Sequence, residues 1–115
     1  MGLIVDNFAG GGGASTGIER GTGRRVNIAV NHNQLAMQVH ALNHPDTRHL
    51  CEDVFRVDPL DYCRRGEVDF AWFSPDCKHF SRAKGAAPVS PRVRGLAWVM
   101  LTWGRKVRPW VMVLE

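Results

Sequence analysis

Long hydrophobic runs are missing from this 115-residue sequence. Its longest apolar stretches, such as Leu96–Leu101, stop far short of the ~20 residues that a bilayer-spanning helix requires. A membrane span is therefore excluded and no membrane partner is expected. A basic leader is missing too. Met1-Gly2-Leu3-Ile4-Val5-Asp6 meets an acid inside its first apolar run, so no secretory signal is visible and a cytoplasmic location is the default expectation. Cysteine is scarce: Cys51, Cys63 and Cys77 are odd in number, and no CxxC pair occurs. That pattern argues against a disulfide framework and fits a reducing compartment. His40, His44 and His49 with Cys51 lack any standard zinc spacing, so no metal is expected. Repeats and low-complexity linkers are absent as well. A hydrophobic content of 44 % is ordinary for one small globular domain and too high for a disordered tail.

Acidic residues are nearly missing from the C-terminal third. Residues 1–76 carry a balance of −3, whereas residues 77–115 carry +7 with Glu115 as their sole acid. A basic segment beside a near-neutral one suggests a polyanion on one face, although charge alone fits a solvated basic surface equally well.

What is present alternates short apolar runs with helix-like stretches. Leu3–Phe8 reads as a buried strand, followed by the glycine-rich turn Ala9–Gly13. A helix over Ser15–Arg20 takes Ser15 as its N-cap. Val26–Val30 reads as a second strand. Gln34–Leu42 reads as a helix with Leu35, Val39 and Leu42 at helical spacing, ended by Asn43-His44-Pro45. A short strand is expected near Leu50 and Cys51, and a stronger one over Val68–Phe73. Asp76–Arg92 reads as a long loop. Arg94–Val107 follows as a helix with Leu96, Val99, Met100 and Trp103 on one face, and Val111–Leu114 as a last strand. Strands alternating with helices imply an α/β fold with a parallel sheet and helices on both faces. The sequence stops directly after that strand, at the sheet edge where site residues are built, so a fold incomplete at its C-terminus is expected.

Two segments carry candidate chemistry. At Asp6-Asn7-Phe8-Ala9-Gly10-Gly11-Gly12-Gly13, a strand meets a helix through glycines that let backbone N–H groups approach a ligand. The spacing fails the G-x-G-x-x-G dinucleotide pattern, and a P-loop would need Gly-Lys-Ser/Thr where Gly17 is followed by Ile18. A bare flexible turn is the plain alternative. The second segment is Ser74-Pro75-Asp76-Cys77-Lys78-His79-Phe80-Ser81. Cations beside Cys77 favour its thiolate, the nucleophilic form. The plain alternative is an inert buried thiol, which suits Cys51 and Cys63 better.

Taken together, these segments resemble the N-terminal catalytic portion of the DNA (cytosine-5) methyltransferases. That family opens with D-L-F-A-G-x-G-G, matched by Asp6–Gly13 except at Asn7. Its nucleophile motif P-C-Q-x-F-S is matched by Cys77, Phe80 and Ser81, with Lys78 replacing glutamine and Asp76 inserted after Pro75. Its E-N-V motif falls where Glu115 stands. The resemblance implies a Rossmann-like, S-adenosylmethionine-dependent methyltransferase fold, with residues 1–115 forming the N-terminal part of the catalytic domain and the target-recognition region absent. It implies that Phe8, Ala9, Gly10, Gly11, Gly12 and Gly13 hold the methionine portion of S-adenosylmethionine. Asn31 would stand at the usually acidic ribose position and His32 beside the adenine. Asp53 with Val54 would meet the adenine amino group, and Pro75 and Leu96 would complete the cofactor contacts.

The implied reaction transfers a methyl group to C5 of cytosine in double-stranded DNA. Cys77 would add to C6 of a base flipped from the stack, with Glu115 at N3. Lys78, Ser81, Arg82, Lys84, Arg92 and Arg94 would face the DNA backbone. Such enzymes serve restriction–modification, phage self-protection or regulation. A second reading is a non-catalytic remnant, or half of a split protein that binds the cofactor or a complementing C-terminal chain.

Overall fold

Four short apolar runs and the more polar Arg48-His49-Leu50 form the five strands of one sheet. The computed structural model describes residues 1–75 and 91–115, with side chains from residue 94 onward in the second segment. The strands are β1 (Leu3–Asn7), β2 (Ile28–Val30), β3 (Arg48–Leu50), β4 (Val68–Phe73) and β5 (Val111–Leu114). All four pairings are parallel, in the order β3-β2-β1-β4-β5. Helices α1 (Gly13–Thr22) and α2 (Gln34–Asn43) connect the first three strands, and α3 (Pro91–Lys106) precedes β5. The chain thus runs outward from β1 to β3, then returns to the other side of β1. This arrangement is the parallel sheet that strand–helix alternation predicts and the Rossmann-like fold that the family resemblance implies, and its reversal point lies between β1 and β4.

The period-2 alternation of the strands assigns the two sheet faces. Val5, Val30, Ala71 and Phe73 pack with Val99, Trp103 and Val107 on the α3 side. Phe73 and Trp103 meet edge to face, 6.1 Å between centroids. Ile4, Ile18 and Val26 form a small cluster on the opposite side, and Ala9, Ala29 and Met37 another. Arg24 closes the far end of the sheet, its Nη1 2.9 Å from Asp69 Oδ2. Among the described residues no helix is long and apolar enough to cross a membrane.

Several elements depart from the sequence expectations. The first helix starts at Gly13 with Gly12 as its N-cap, so Ser15 lies inside the first turn and its hydroxyl is free for tertiary bonds. The second strand is trimmed to residues 28–30, with Val26 buried ahead of it. The third lies at Arg48–Leu50, before Cys51, and Cys51 is exposed rather than a buried thiol. Cys63 is buried, and desolvation pushes its thiol up to about 11. Pro91 and Arg92 belong to α3, because proline suits a first helical turn; the rest of the expected loop lies outside the described residues.

The largest departure is in α2. Leu35, Val39 and Leu42 point to solvent, and the helix instead buries Met37 and His40. A buried histidine outranks leucines here because its ring nitrogens have partners inside the fold. Leu42 is 84 % exposed and Trp103 only 2 %. Leu42→Ala is therefore expected to shift the unfolding free energy by less than about 0.5 kcal/mol. Trp103→Ala should cost about 3–5 kcal/mol in the same denaturant titration.

Candidate functional site

The C-terminal edge of the sheet gathers the ends of β1, β4 and β5. β1 leaves the sheet at Asn7, and Phe8 turns the chain with a left-handed φ of 62°, uncommon for a residue with a side chain. Ala9 is fixed from both ends: its N–H donates to the Val30 carbonyl at 3.0 Å, and its carbonyl accepts from Asn31 Nδ2. Gly10 and Gly13 are exposed, and among the described residues no atom beyond their chain neighbours and the helix's own backbone comes within 4 Å of where a Cβ would stand. Gly12 has a φ of 117°, and a Cβ there would lie 2.9 Å from the His44 ring. Only glycine serves at that position. The turn runs straight into the N-terminus of α1, whose first N–H groups have no partner within the helix.

Beneath the turn lies a buried polar network that sequence reading missed. Ser15 donates its hydroxyl to Asp6 Oδ2 at 2.6 Å. The Ser15 oxygen then accepts from His40 Nε2 at 2.8 Å, and His40 Nδ1 accepts from His49 Nε2 at 2.7 Å. The direction of each bond follows from the carboxylate, which only accepts. Ser15, His40 and Asp6 resemble a hydrolytic triad in composition only: Ser15 and His40 are fully buried, and the carboxylate holds the serine rather than the histidine. A second branch runs through His44, with Nδ1 3.0 Å from Glu19 Oε1 and Nε2 3.1 Å from the Gly12 carbonyl. His40 and His44 thus engage both ring nitrogens, and among the described residues no group of three or more His, Cys, Asp or Glu is placed to hold a metal.

Burial sets the electrostatics. Desolvation raises the Asp6 carboxyl to about 6, against the lowering effects of the Ser15 hydrogen bond and of His44. Desolvation, then His49 and His44, push His40 down to about 4. His49 is lowered for the same first reason. Asp6 Oδ1 and both side-chain atoms of Asn7 are buried without a hydrogen-bond partner among the described residues.

Around this edge the remaining candidates are spread as follows. Half-buried Phe8 meets Phe55 edge on at 5.5 Å, and Phe55 in turn sits close to the Gly95 Cα. Asn31 spends its amide on Ala9 and on the Asn33 N–H, and His32 is exposed. Asp53 caps its own turn, Oδ1 accepting from the Phe55 N–H at 3.0 Å. Val54 and Leu96 are buried in the core, and Pro75 is buried at the end of the described segment after β4. Glu115 is exposed, and its N–H donates to the Phe73 carbonyl at 2.9 Å, which brings it beside the exit of β4. Arg94 is exposed on α3. Cys77, Lys78, Ser81, Arg82 and Lys84 lie outside the described residues, as does the side chain of Arg92.

No protein-family model and no curated protein matches this sequence. Among solved structures, the chain is similar to a proposed DNA modification methyltransferase encoded within an E. coli prophage, with a TM-score of 0.75 and 24 % identity. That likeness establishes the fold. It covers 99 % of this chain and 31 % of the other, so the chain spans about a third of the length of the protein it matches.

The buried network makes stability depend on pH in two opposing ways. His40 sits below its ordinary 6.5, so the stability it supports is present above that value and is lost as pH falls towards about 4. Asp6 sits above its ordinary 3.8, so its contribution is full below that value and is lost as pH rises through about 6. In urea titrations, Asp6→Asn should gain on the parent chain between pH 4 and pH 7, by up to ~3 kcal/mol. His40→Gln should lose less stability than the parent as pH falls from 7 to 4. Parallel curves for parent and variants would contradict the assignment.

Proposed function

We propose that this chain is the cofactor-binding and nucleophile-bearing part of a DNA (cytosine-5) methyltransferase. The observation that carries the reading is the glycine turn between β1 and α1, open at Gly10 and Gly13 and beside the reversal point of the sheet. The residues present fit S-adenosylmethionine. An open backbone turn at a helix N-terminus suits its carboxylate. The half-buried Phe8 ring offers an apolar wall, and the Asn7 amide, without a partner among the described residues, adjoins it with both a donor and an acceptor. Phe8, Ala9 and Gly10 to Gly13 would hold the methionine portion, with Asp53, Val54, Pro75 and Leu96 toward the adenosine. When bound, the cofactor supplies the methyl group.

The chain's own contribution is covalent and electrostatic. The Cys77 thiolate forms a bond to C6 of a cytosine taken out of the stack, which turns C5 into a nucleophile. Glu115 at N3 stabilises the ring as charge develops. Loss of the C5 proton then breaks the bond to sulfur and frees the enzyme. Lys78, Arg82, Lys84, Arg92 and Arg94, with Ser81, supply contacts to phosphates, so binding to double-stranded DNA should weaken with salt. The inserted Asp76 beside Cys77 raises the cost of the thiolate.

A second reading, half of a split enzyme, is favoured by β5. Among the described residues it is one of the sheet's two edge strands, with β3 the other, and its Val111 and Leu114 are about half exposed, a row of backbone groups and apolar side chains that suits pairing with further protein.

Equilibrium dialysis with labelled S-adenosylmethionine tests the cofactor role. The parent chain and Cys77→Ser should bind equally, whereas Gly12→Ala should weaken binding at least about tenfold through its strained φ and the clash with His44. DNA carrying 5-fluorocytosine tests the nucleophile. A covalent complex should form with the parent chain supplemented in trans by the C-terminal part of a cytosine-5 methyltransferase, and Cys77→Ser should abolish it. An adduct that survives Cys77→Ser would overturn the mechanism.

A further inference from the structure

The last turn of α2 grips the glycine turn by its carbonyl oxygens. Asn43 Nδ2 donates to the Gly11 carbonyl at 3.0 Å. His44 Nε2 lies 3.1 Å from the Gly12 carbonyl and 3.1 Å from Thr16 Oγ1, and toward a carbonyl, which only accepts, that nitrogen donates. Thr16 Oγ1 donates to the same carbonyl at 2.9 Å. The imidazole cannot swing away: His44 is buried and its other nitrogen is held by Glu19 at 3.0 Å. Its ring rests on the Gly12 Cα, in the space any side chain there would fill.

Peptide planarity gives these contacts a consequence. In a trans peptide the carbonyl of one residue and the N–H of the next point in opposite directions. The Gly11 carbonyl is held toward α2 by Asn43, and the Gly12 carbonyl is held by His44 together with the first α1 bond, from the Thr16 N–H at 2.9 Å, so the N–H groups of Gly12 and Gly13 are turned to the opposite side. They join the unpaired N–H groups at the start of α1, where partial positive charge favours an anion. Two peptide dipoles are thereby fixed before any ligand arrives, and no ordering is needed at the moment of binding.

We infer that Asn43 and His44 are positioning residues that set the Gly12 and Gly13 N–H groups to receive the carboxylate of a nucleoside ligand bearing an amino-acid arm. This rests on the reading of the turn as the S-adenosylmethionine site and adds the device that orients it. On that reading the adenosine end would lie toward Asp53 and Val54, away from the hydrogen bonds that Asn43 and His44 make. Loss of Asn43 or His44 therefore acts on the arm and spares the nucleoside. Asn43 is exposed, so its truncation removes a bond without opening the core.

The test compares S-adenosylhomocysteine with 5′-methylthioadenosine, which share the adenosyl thioether and differ in the amino-acid arm. Binding of each to the full chain is followed by titration calorimetry, with circular dichroism as the check on folding. Asn43→Ala and His44→Leu should each weaken S-adenosylhomocysteine about tenfold, the scale of one hydrogen bond to a charged group. 5′-Methylthioadenosine should change less than about twofold. His44→Gln, whose amide can still donate to the Gly12 carbonyl, should recover most of the loss. If His44→Leu fails to fold, Asn43→Ala decides alone. Equal losses for both ligands, or no loss for S-adenosylhomocysteine, overturn the inference. A parent chain that binds both ligands equally well also overturns it, while leaving the nucleoside part of the cofactor reading intact. A parent chain that binds neither removes the cofactor reading and this inference with it.

Discussion

Contact between the His44 imidazole and the Gly12 backbone is the constraint on which the site depends. It requires glycine at residue 12, because a Cβ would stand 2.9 Å from the ring. It ties the end of α2 to the start of α1, and through Glu19 it reaches the middle of α1. Beside it, the chain from His49 through His40 and Ser15 to Asp6 ties β3, α2 and α1 to β1. The turn is therefore held by side chains from three neighbouring elements and is not a loose connection. Among the described residues nothing covers its face at Gly10 and Gly13. A rigid back and an accessible front are what a preorganised ligand seat needs.

Rigidity of this kind has an energetic cost. Asp6 and His40 are both buried, and each is displaced from its ordinary titration range by desolvation. A buried polar group is tolerable only when its hydrogen bonds are made, and the network makes nearly all of them. Among the described residues the exceptions at this edge are Asp6 Oδ1 and the Asn7 amide, at the last two residues of β1, and the indole nitrogens of Trp72 and Trp103 are the other buried side-chain atoms without a partner. Unpartnered buried atoms are expensive, so their concentration next to the glycine turn marks this strand end as a place where stability is given up. Functional sites are where such losses are ordinarily found.

Much of the architecture was legible from periodicity. The apolar runs at Leu3, Val68 and Val111 lead to strands because parallel strands are buried on both faces and read as continuous hydrophobic stretches. The face of α3 was legible because Leu96, Val99 and Trp103 keep helical spacing and are buried. The α2 face was not. Leu35, Val39 and Leu42 show the better apolar pattern, yet His40 takes the interior because Ser15 and His49 satisfy its nitrogens. Pattern scores rank leucine above histidine and cannot see partners that are distant in sequence. Ser15 misled for a related reason: serine before a helix suggests a cap, but Gly12 reaches the capping conformation unaided and releases the hydroxyl to Asp6. At the site, the glycine turn was legible from its composition. The roles of Asn43 and His44 were not, although the Asn43-His44-Pro45 helix stop was visible, because a stop signal does not say which backbone lies across from it.

The central claim is that the turn after β1 is a cofactor seat already formed in this chain. Amide chemical-shift mapping of the labelled protein during titration with S-adenosylmethionine tests it most directly. The account predicts that the amides from Phe8 to Gly13 and those of Asp53 and Val54 move together and saturate, while those along the outer face of α3 stay still. Amides of the turn that remain unmoved at saturating ligand, or shifts confined to residues remote from this edge of the sheet, would contradict it.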